Sequence, residues 1–264
     1  MRIEKIPNSE YETQLEEKFL IALRHHISGL RAKAEHDFSE NSFKHELKQL
    51  VTDPIYPKFA LDSDEYVFIR LIGRMSISIG RRLGEIYDKI PRFLASARFG
   101  LAPEKVAFKL NNLELDIGLE FSDLKSEDLS HTKTIIGKYL PDCKTDTGIG
   151  IEIRYNFNPN DSSRLRKDVD MVNYLQMEKL LPVYLIFSAI SPRDEAIARL
   201  ERSGWNFLIG DIAISFAKEL LGMDLARILD QPNIKSEVQN EINDIMKTIF
   251  SSYAFGVIME KYKG

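Results

Sequence analysis

The run Gly150-Ile151-Glu152-Ile153-Arg154-Tyr155-Asn156 decides the fold. With Ile149 and Phe157 on either side, Ile151, Ile153 and Tyr155 fall on one face, while Gly150, Glu152, Arg154 and Asn156 fall on the other. A period of two is the signature of a β-strand. Upstream, Leu113 to Phe121 repeats it: Leu113, Leu115, Ile117, Leu119 and Phe121 oppose Glu114, Asp116, Gly118 and Glu120. Val106 to Leu110 reads as a third strand. It is joined to the second through Asn111-Asn112, a pair that tolerates the positive φ of a tight hairpin turn.

Outward from these strands the period changes. Asn158-Pro159-Asn160-Asp161-Ser162 is a loop ending in good helix-capping residues, and the helix after it presents Leu165, Val169, Val172 and Leu175 or Gln176. Pro182 to Ile190 is a continuous apolar run, as expected of a strand buried on both faces in a parallel pairing. Ser191 to Ser203 reads as a helix, Trp205 to Ile209 as a short strand, and the remainder as helix with a break at Gln231-Pro232. On the N-terminal side, Leu15 to Ala34 and Ser42 to Leu50 carry helical spacing. Asp62-Ser63-Asp64-Glu65 opens a helix that should run from Asp64 to about Ile90, where Pro91 predicts a break or kink. Ser122 to Lys138 is polar and without clear period. The expected architecture is an α/β fold with a mixed sheet. A helical region over 1–61, an α/β core over 62–210 and a C-terminal helical region over 211–264, packed on the core, divide the chain.

Composition excludes several classes. The 264 residues are 44% hydrophobic and 29% charged, ordinary globular usage. A net charge of −4 rules out a histone-like protein held to nucleic acid by bulk charge, though not a local basic groove. Cys143 stands alone, so no intramolecular disulfide or cysteine zinc cluster forms, consistent with a reducing compartment. The opening Met-Arg-Ile-Glu-Lys-Ile lacks the apolar stretch of a secretory signal, and no run approaches the ~20 residues that span a bilayer. A cytoplasmic protein without membrane contact is expected. Gly148-Ile149-Gly150 precedes a strand and lacks the full dinucleotide fingerprint; neither a P-loop nor a G-x-S-x-G elbow occurs. His25, His26, His36, His45 and His131 lack metal-ligand spacing.

The polar faces of the two alternating strands carry the chemistry. If the strands are neighbours, Asp116, Glu152 and their companions gather on one patch beside Arg154. Carboxylates so close repel unless a cation lies between them, and Mg²⁺ takes one or two carboxylates together with substrate phosphate oxygens. The plainer alternative is a solvated strand face laced by cross-strand ion pairs.

These residues resemble a known superfamily. Gly150 to Asn156, with Asp116 or Asp142 upstream and the order helix, three strands, helix, strand, is similar to the PD-(D/E)XK nucleases, and within them to the Type II restriction endonucleases with their αβββαβ core. The similarity covers about Tyr66 to Ile209, and the run from Glu152 to Asp168 further resembles ApaLI-type enzymes. It implies Mg²⁺-dependent hydrolysis of double-stranded DNA at palindromic sites by a homodimer. Glu152 matches the second metal-binding carboxylate. The first is Asp142, which follows Pro141 as the motif requires but is separated from Glu152 by a gap of only nine residues, or Asp116, a better match to the acidic strand. Arg154 stands where the family usually has Lys. It stays protonated and cannot act as a base, but it can offset charge on the scissile phosphate. Lys144 is a spare cation, and Glu85 resembles an accessory acid of the family.

Basic residues suit phosphate contacts. Arg70, Arg74, Arg81, Arg82, Lys89, Arg92 and Arg98 face only Glu85 and Asp88 in one stretch, and Arg70, Arg74 and Arg81 share a helix face with Ser78. Arg164, Arg166 and Lys167 open the helix after the candidate site, where an anionic partner would offset their unfavourable interaction with the helix dipole. Asn156 and its loop are candidates for DNA contact. An alternative reading is a nuclease-like fold that binds nucleic acid or a protein and has lost its chemistry.

Overall fold

A computed structural model describes residues 9–107, 109–155, 162–190, 194–222, 224, 227 and 230–263. The chain forms two compact units, one of residues 1–16 and 84–228, the other of residues 17–83 and 229–264. In chain order the elements are α1 (Ser9–Asp37), α2 (Glu40–Thr52), α3 (Asp64–Phe99) and α4 (Pro103–Val106), then strands β1 (Lys109–Leu110), β2 (Leu113–Glu114) and β3 (Ile117–Glu120). There follow α5 (Ser126–Tyr139), β4 (Gly148–Arg154), α6 (Ser162–Met177), β5 (Leu181–Ile186), α7 (Asp194–Ser203), β6 (Asn206–Ile209) and α8 (Asp211–Leu221), with α9 (Pro232–Phe250) and α10 (Tyr253–Lys261) closing the described chain.

The second unit is helical. Its starts are set by serine hydroxyls: Ser39 accepts from the Ser42 amide at 3.4 Å, Ser63 from Tyr66 at 3.3 Å and Ser252 from Phe255 at 3.2 Å. The apolar stripes they phase meet in a core of Leu30, Phe38, Phe43, Leu71, Ile245 and Ile249 with their neighbours. The predicted break at Pro91 does not occur, and α3 runs through it to Phe99. A mid-helix proline costs about 3 kcal/mol. Leu94 and Phe99, buried beyond it, each return roughly 1.5–3 kcal/mol, enough to keep the helix going.

The first unit is the α/β one, built on a four-stranded sheet in the order β3-β4-β5-β6. β3 is antiparallel to β4, whereas β4, β5 and β6 are parallel and joined through α6 and α7. Leu181 to Ile186 is buried throughout, as its unbroken apolar run implies. β1 and β2 form a separate hairpin whose turn residues, Asn111 and Asn112, have φ of 46° and 68°.

Four local expectations are corrected. Val106 ends the short helix α4, which Pro103 starts, so it does not begin a strand. The strand expected over Leu113 to Phe121 bends at Leu115-Asp116 into β2 and β3. The stretch from 122 to 138 contains α5, whose buried stripe is only Thr132, Ile135 and Ile136, too narrow to register as a period. The polar face of β4 is not solvated: Gly148 to Ile153 is buried on both faces. The start expected for α7 at residues 191–193, and the loop over 156–161, lie outside the described residues. Among the described residues no helix is long and apolar enough to cross a membrane.

Close approach of α6 to β4 depends on Gly150. A Cβ at that position would overlap the side chain of Leu175, itself fully buried. Overpacking of this kind typically costs about 1–3 kcal/mol. Gly150→Ala should therefore lower the unfolding free energy by that margin in equilibrium denaturant unfolding, and Leu175→Ala in the same chain should recover part of the loss.

Candidate functional site

The bend before β3 brings the acids together. Ile117 pairs with Ile151 and Gly118 with Gly150, so one further step of the same register sets Asp116 opposite Glu152. Because the main chain leaves the ladder at this bend, the Ile153 amide is met by a side chain instead: Asp116 Oδ2 accepts it at 2.8 Å. Asp116 is 3% exposed and Glu152 6%.

Two guanidinium groups hold these acids. Arg154 Nη1 donates to Asp116 Oδ2 at 3.1 Å and to the Ile153 carbonyl at 2.6 Å, and its Nη2 donates to Glu152 Oε1. Arg92 of α3 spans Glu114 and Asp116, one nitrogen to each carboxylate. Glu152 Oε2 is buried and has no hydrogen-bond partner among the described residues.

A third acid stands beside them. Asp168 of α6, 4% exposed, accepts the Tyr184 hydroxyl at 3.3 Å, while its carbonyl accepts Trp205 Nε1 at 2.8 Å. Tyr184 is opposite Glu152 in the parallel ladder, and the Arg154 guanidinium lies 5.9 Å from its ring centroid. A cavity of about 420 Å³ opens onto the cluster, with Glu114, Glu152, Arg154 and Asp168 among its walls and Arg164 and Lys167 contributed by α6.

Burial governs the electrostatics. It raises the Glu152 carboxyl to about 8, with repulsion from Asp116 and Asp168 adding to the rise and Arg154 opposing it. Burial also pushes Asp168 upward against the pull of Arg154 and Arg164. For Arg154 burial works toward a lower value, but Glu152, Asp116 and Asp168 outweigh it and hold the guanidinium firmly charged.

The remaining sequence candidates separate. Asp142 is exposed in the turn after α5, and the thiol of the adjacent Cys143 donates to Asn206 at the start of β6, so Asp142 is not brought into the cluster. Lys144 is exposed there too. Arg70 and Arg74 belong to the helical unit and are taken up by buried Glu46, Arg74 at 2.8 Å and Arg70 at 3.5 Å. Arg81 is exposed in the same unit. Arg164 and Lys167 line the cavity, whereas Arg166 is exposed outside its lining. Asn156, and the side chain of Glu85, lie outside the described residues.

Sequence reasoning missed Asp168, Arg92 and Tyr184. Asp168 had a legible signal, since it interrupts the apolar stripe Leu165, Val172, Leu175 at helical spacing. Arg92 was visible only as one member of a basic stretch. Among the described residues no group of three or more His, Cys, Asp or Glu is gathered to hold a metal ion. Comparison of the chain with protein-family models, with curated proteins and with solved structures finds no match.

The Glu152 shift has a testable sign. Its carboxyl lies at about 8 in the folded chain against an ordinary 4.5, so the folded state holds a proton that the unfolded state releases. That contribution to stability is complete below about pH 4.5 and is lost as pH rises through about 8. In EDTA, wild type should lose on the order of a few kcal/mol across this window, while Glu152→Gln should show a flatter profile. Parallel urea-unfolding profiles for the two proteins would contradict the assignment.

Proposed function

We propose that the cavity is the active site of a Mg²⁺-dependent endonuclease of the Type II restriction kind, acting on double-stranded DNA and working as a homodimer. The observation that carries the reading is the convergence of Asp116 and Glu152 on Arg154 where β3 meets β4, beside a cavity lined by Glu152, Arg154, Arg164 and Lys167. The antiparallel β3-β4 pair followed by a crossover helix and a parallel strand corresponds to part of the αβββαβ order that the resemblance implies, whereas β1 and β2 stand apart as a hairpin and α5 lies between β3 and β4.

The donor set suits a hard divalent cation. Asp116 Oδ2, Glu152 Oε1 and the Ile153 carbonyl all contact one cationic group, and Glu152 Oε2 lacks a partner. Oxygen donors with only two carboxylates are what Mg²⁺ takes when phosphate oxygens complete its shell. Bound there, the ion would polarise the phosphodiester and acidify an attacking water. Asp116 and Glu152 would hold it, Arg154 would offset charge developing on the phosphate, and Arg164 and Lys167 would take flanking phosphates. A guanidinium cannot accept the proton of the attacking water, so a second water or a substrate phosphate takes it.

A specific observation favours a second reading, a nuclease-like module that binds without cutting: Arg154 is already paired with both carboxylates within the chain. Plasmid cleavage in Mg²⁺ and in EDTA separates the two. The endonuclease reading expects nicking and linearisation with Mg²⁺ only, and a loss of about 10²-fold or more in Glu152→Ala. Undiminished cleavage by that variant ends the site assignment.

DNA affinity supplies an independent check. Log affinity should fall linearly with log salt, and Arg164→Ala with Lys167→Ala should reduce the slope by about two. A slope unchanged in the double variant removes these residues from the phosphate interface.

A further inference from the structure

Arg154 occupies the point that a metal would need. Its guanidinium touches Asp116 Oδ2, the Ile153 carbonyl and Glu152 Oε1, three oxygens from two strands. The side chain is largely buried and also lines the cavity, so its route outward leads into that space. Asp116 has a second anchor: Arg92, which is not among the residues lining the cavity, binds its Oδ1 and fixes it from α3. Asp116 is thus held in place from α3 while the cation it shares with Glu152 has somewhere to go.

We infer that Arg154 is the resident counter-ion of this site, competing with a divalent metal for Asp116 and Glu152 and swinging into the cavity when the metal enters. The inference rests on the nuclease reading and adds to it a regulated affinity. Without substrate the guanidinium keeps the carboxylates compensated and metal binding weak. With a phosphate in the cavity, beside Arg164 and Lys167, the displaced guanidinium gains an anionic partner, so metal and DNA favour each other's binding. The exchange puts a divalent ion where a monovalent guanidinium stood, and the freed guanidinium meets a phosphate.

The test uses the full chain and Mn²⁺ alone, without DNA, by titration calorimetry. Arg154→Gln removes the competitor and should bind Mn²⁺ about tenfold or more tightly than wild type, with Arg154→Lys between them. The double variant Arg154→Gln with Glu152→Gln should lose the gain. In EDTA the Arg154→Gln protein should melt below wild type, because buried carboxylates have lost a cation, and Mn²⁺ should raise its melting temperature more than it raises that of wild type. Equal or weaker Mn²⁺ affinity in Arg154→Gln overturns the inference. Should that variant fail to fold, Arg154→Lys against wild type decides in the same direction. The nuclease reading fails separately, on absence of Mg²⁺-dependent plasmid cleavage by wild type, whatever the ranking of Mn²⁺ affinities.

Discussion

The α/β unit depends on how it buries three acids at the centre of a sheet. Asp116, Glu152 and Asp168 are each less than a tenth exposed, and an uncompensated buried carboxylate would neutralise itself or unfold the site. Arg154 and Arg92 supply counter-charge to Asp116, one from within β4 and the other from α3, while Glu152 holds a proton up to about pH 8 and Asp168 accepts the Tyr184 hydroxyl. Their arrangement also completes the backbone. Where the chain bends away after β2, the Ile153 amide would be left without a β-ladder partner, and the Asp116 carboxylate accepts it. A single side chain therefore terminates the β3-β4 pairing and anchors both guanidinium groups. Breaking such a pair by removing one partner typically costs about 3–5 kcal/mol, although the intact pair adds little net stability over an apolar substitute.

Much of this was legible in the sequence, and the parts that were not share a cause. The hairpin turn at Asn111-Asn112 and a buried parallel strand follow from local pattern, although that strand, expected over Pro182 to Ile190, ends at Ile186; the pairing of the segment after Asp116 with the Glu152 strand was a condition that local pattern could not supply. Period-two alternation placed Asp116 and Glu152 on one face, and pairing kept them there. It misjudged what lies over that face. An alternating strand implies solvent on its polar side, but α6 covers β4 because Gly150 lets Leu175 come close. The same long-range packing carries α3 through Pro91 and brings Arg92 to Asp116. Spacing on one element reports which residues share a face; it does not report which other element supplies their counter-charge. Asp168 was the exception, since a carboxylate inside an apolar helical stripe announces a buried partner.

Basic residues illustrate the opposite error. Arg70 and Arg74 have the i, i+4 spacing of a phosphate-binding stripe, yet Glu46 of α2 takes both of them, and Tyr56 lies beneath Arg70 at 5.5 Å. A cation already committed to a buried acid has little left to offer a phosphate. Arg164 and Lys167 differ in that they border the cavity containing Arg154 and Asp168. Their proximity to the acids makes the field at the cavity mouth one of mixed sign, repelling no phosphate outright and giving it cations on α6 to settle against.

The presence of arginine at position 154 has a geometric reason. An ammonium group is a compact point charge, whereas a guanidinium presents five N–H donors in a rigid plane. Arg154 uses that plane to reach Asp116, the Ile153 carbonyl and Glu152 together while stacking over Tyr184. A lysine could satisfy fewer of these oxygens and would leave more charge on the carboxylates for an incoming cation. Arginine at this position therefore reaches three oxygens with one charge, and Glu152 Oε2 is left as the one buried carboxylate oxygen of the cluster without a described partner. Any cation drawn to that oxygen enters a site already part-filled, so its binding is coupled from the outset to where the Arg154 side chain goes.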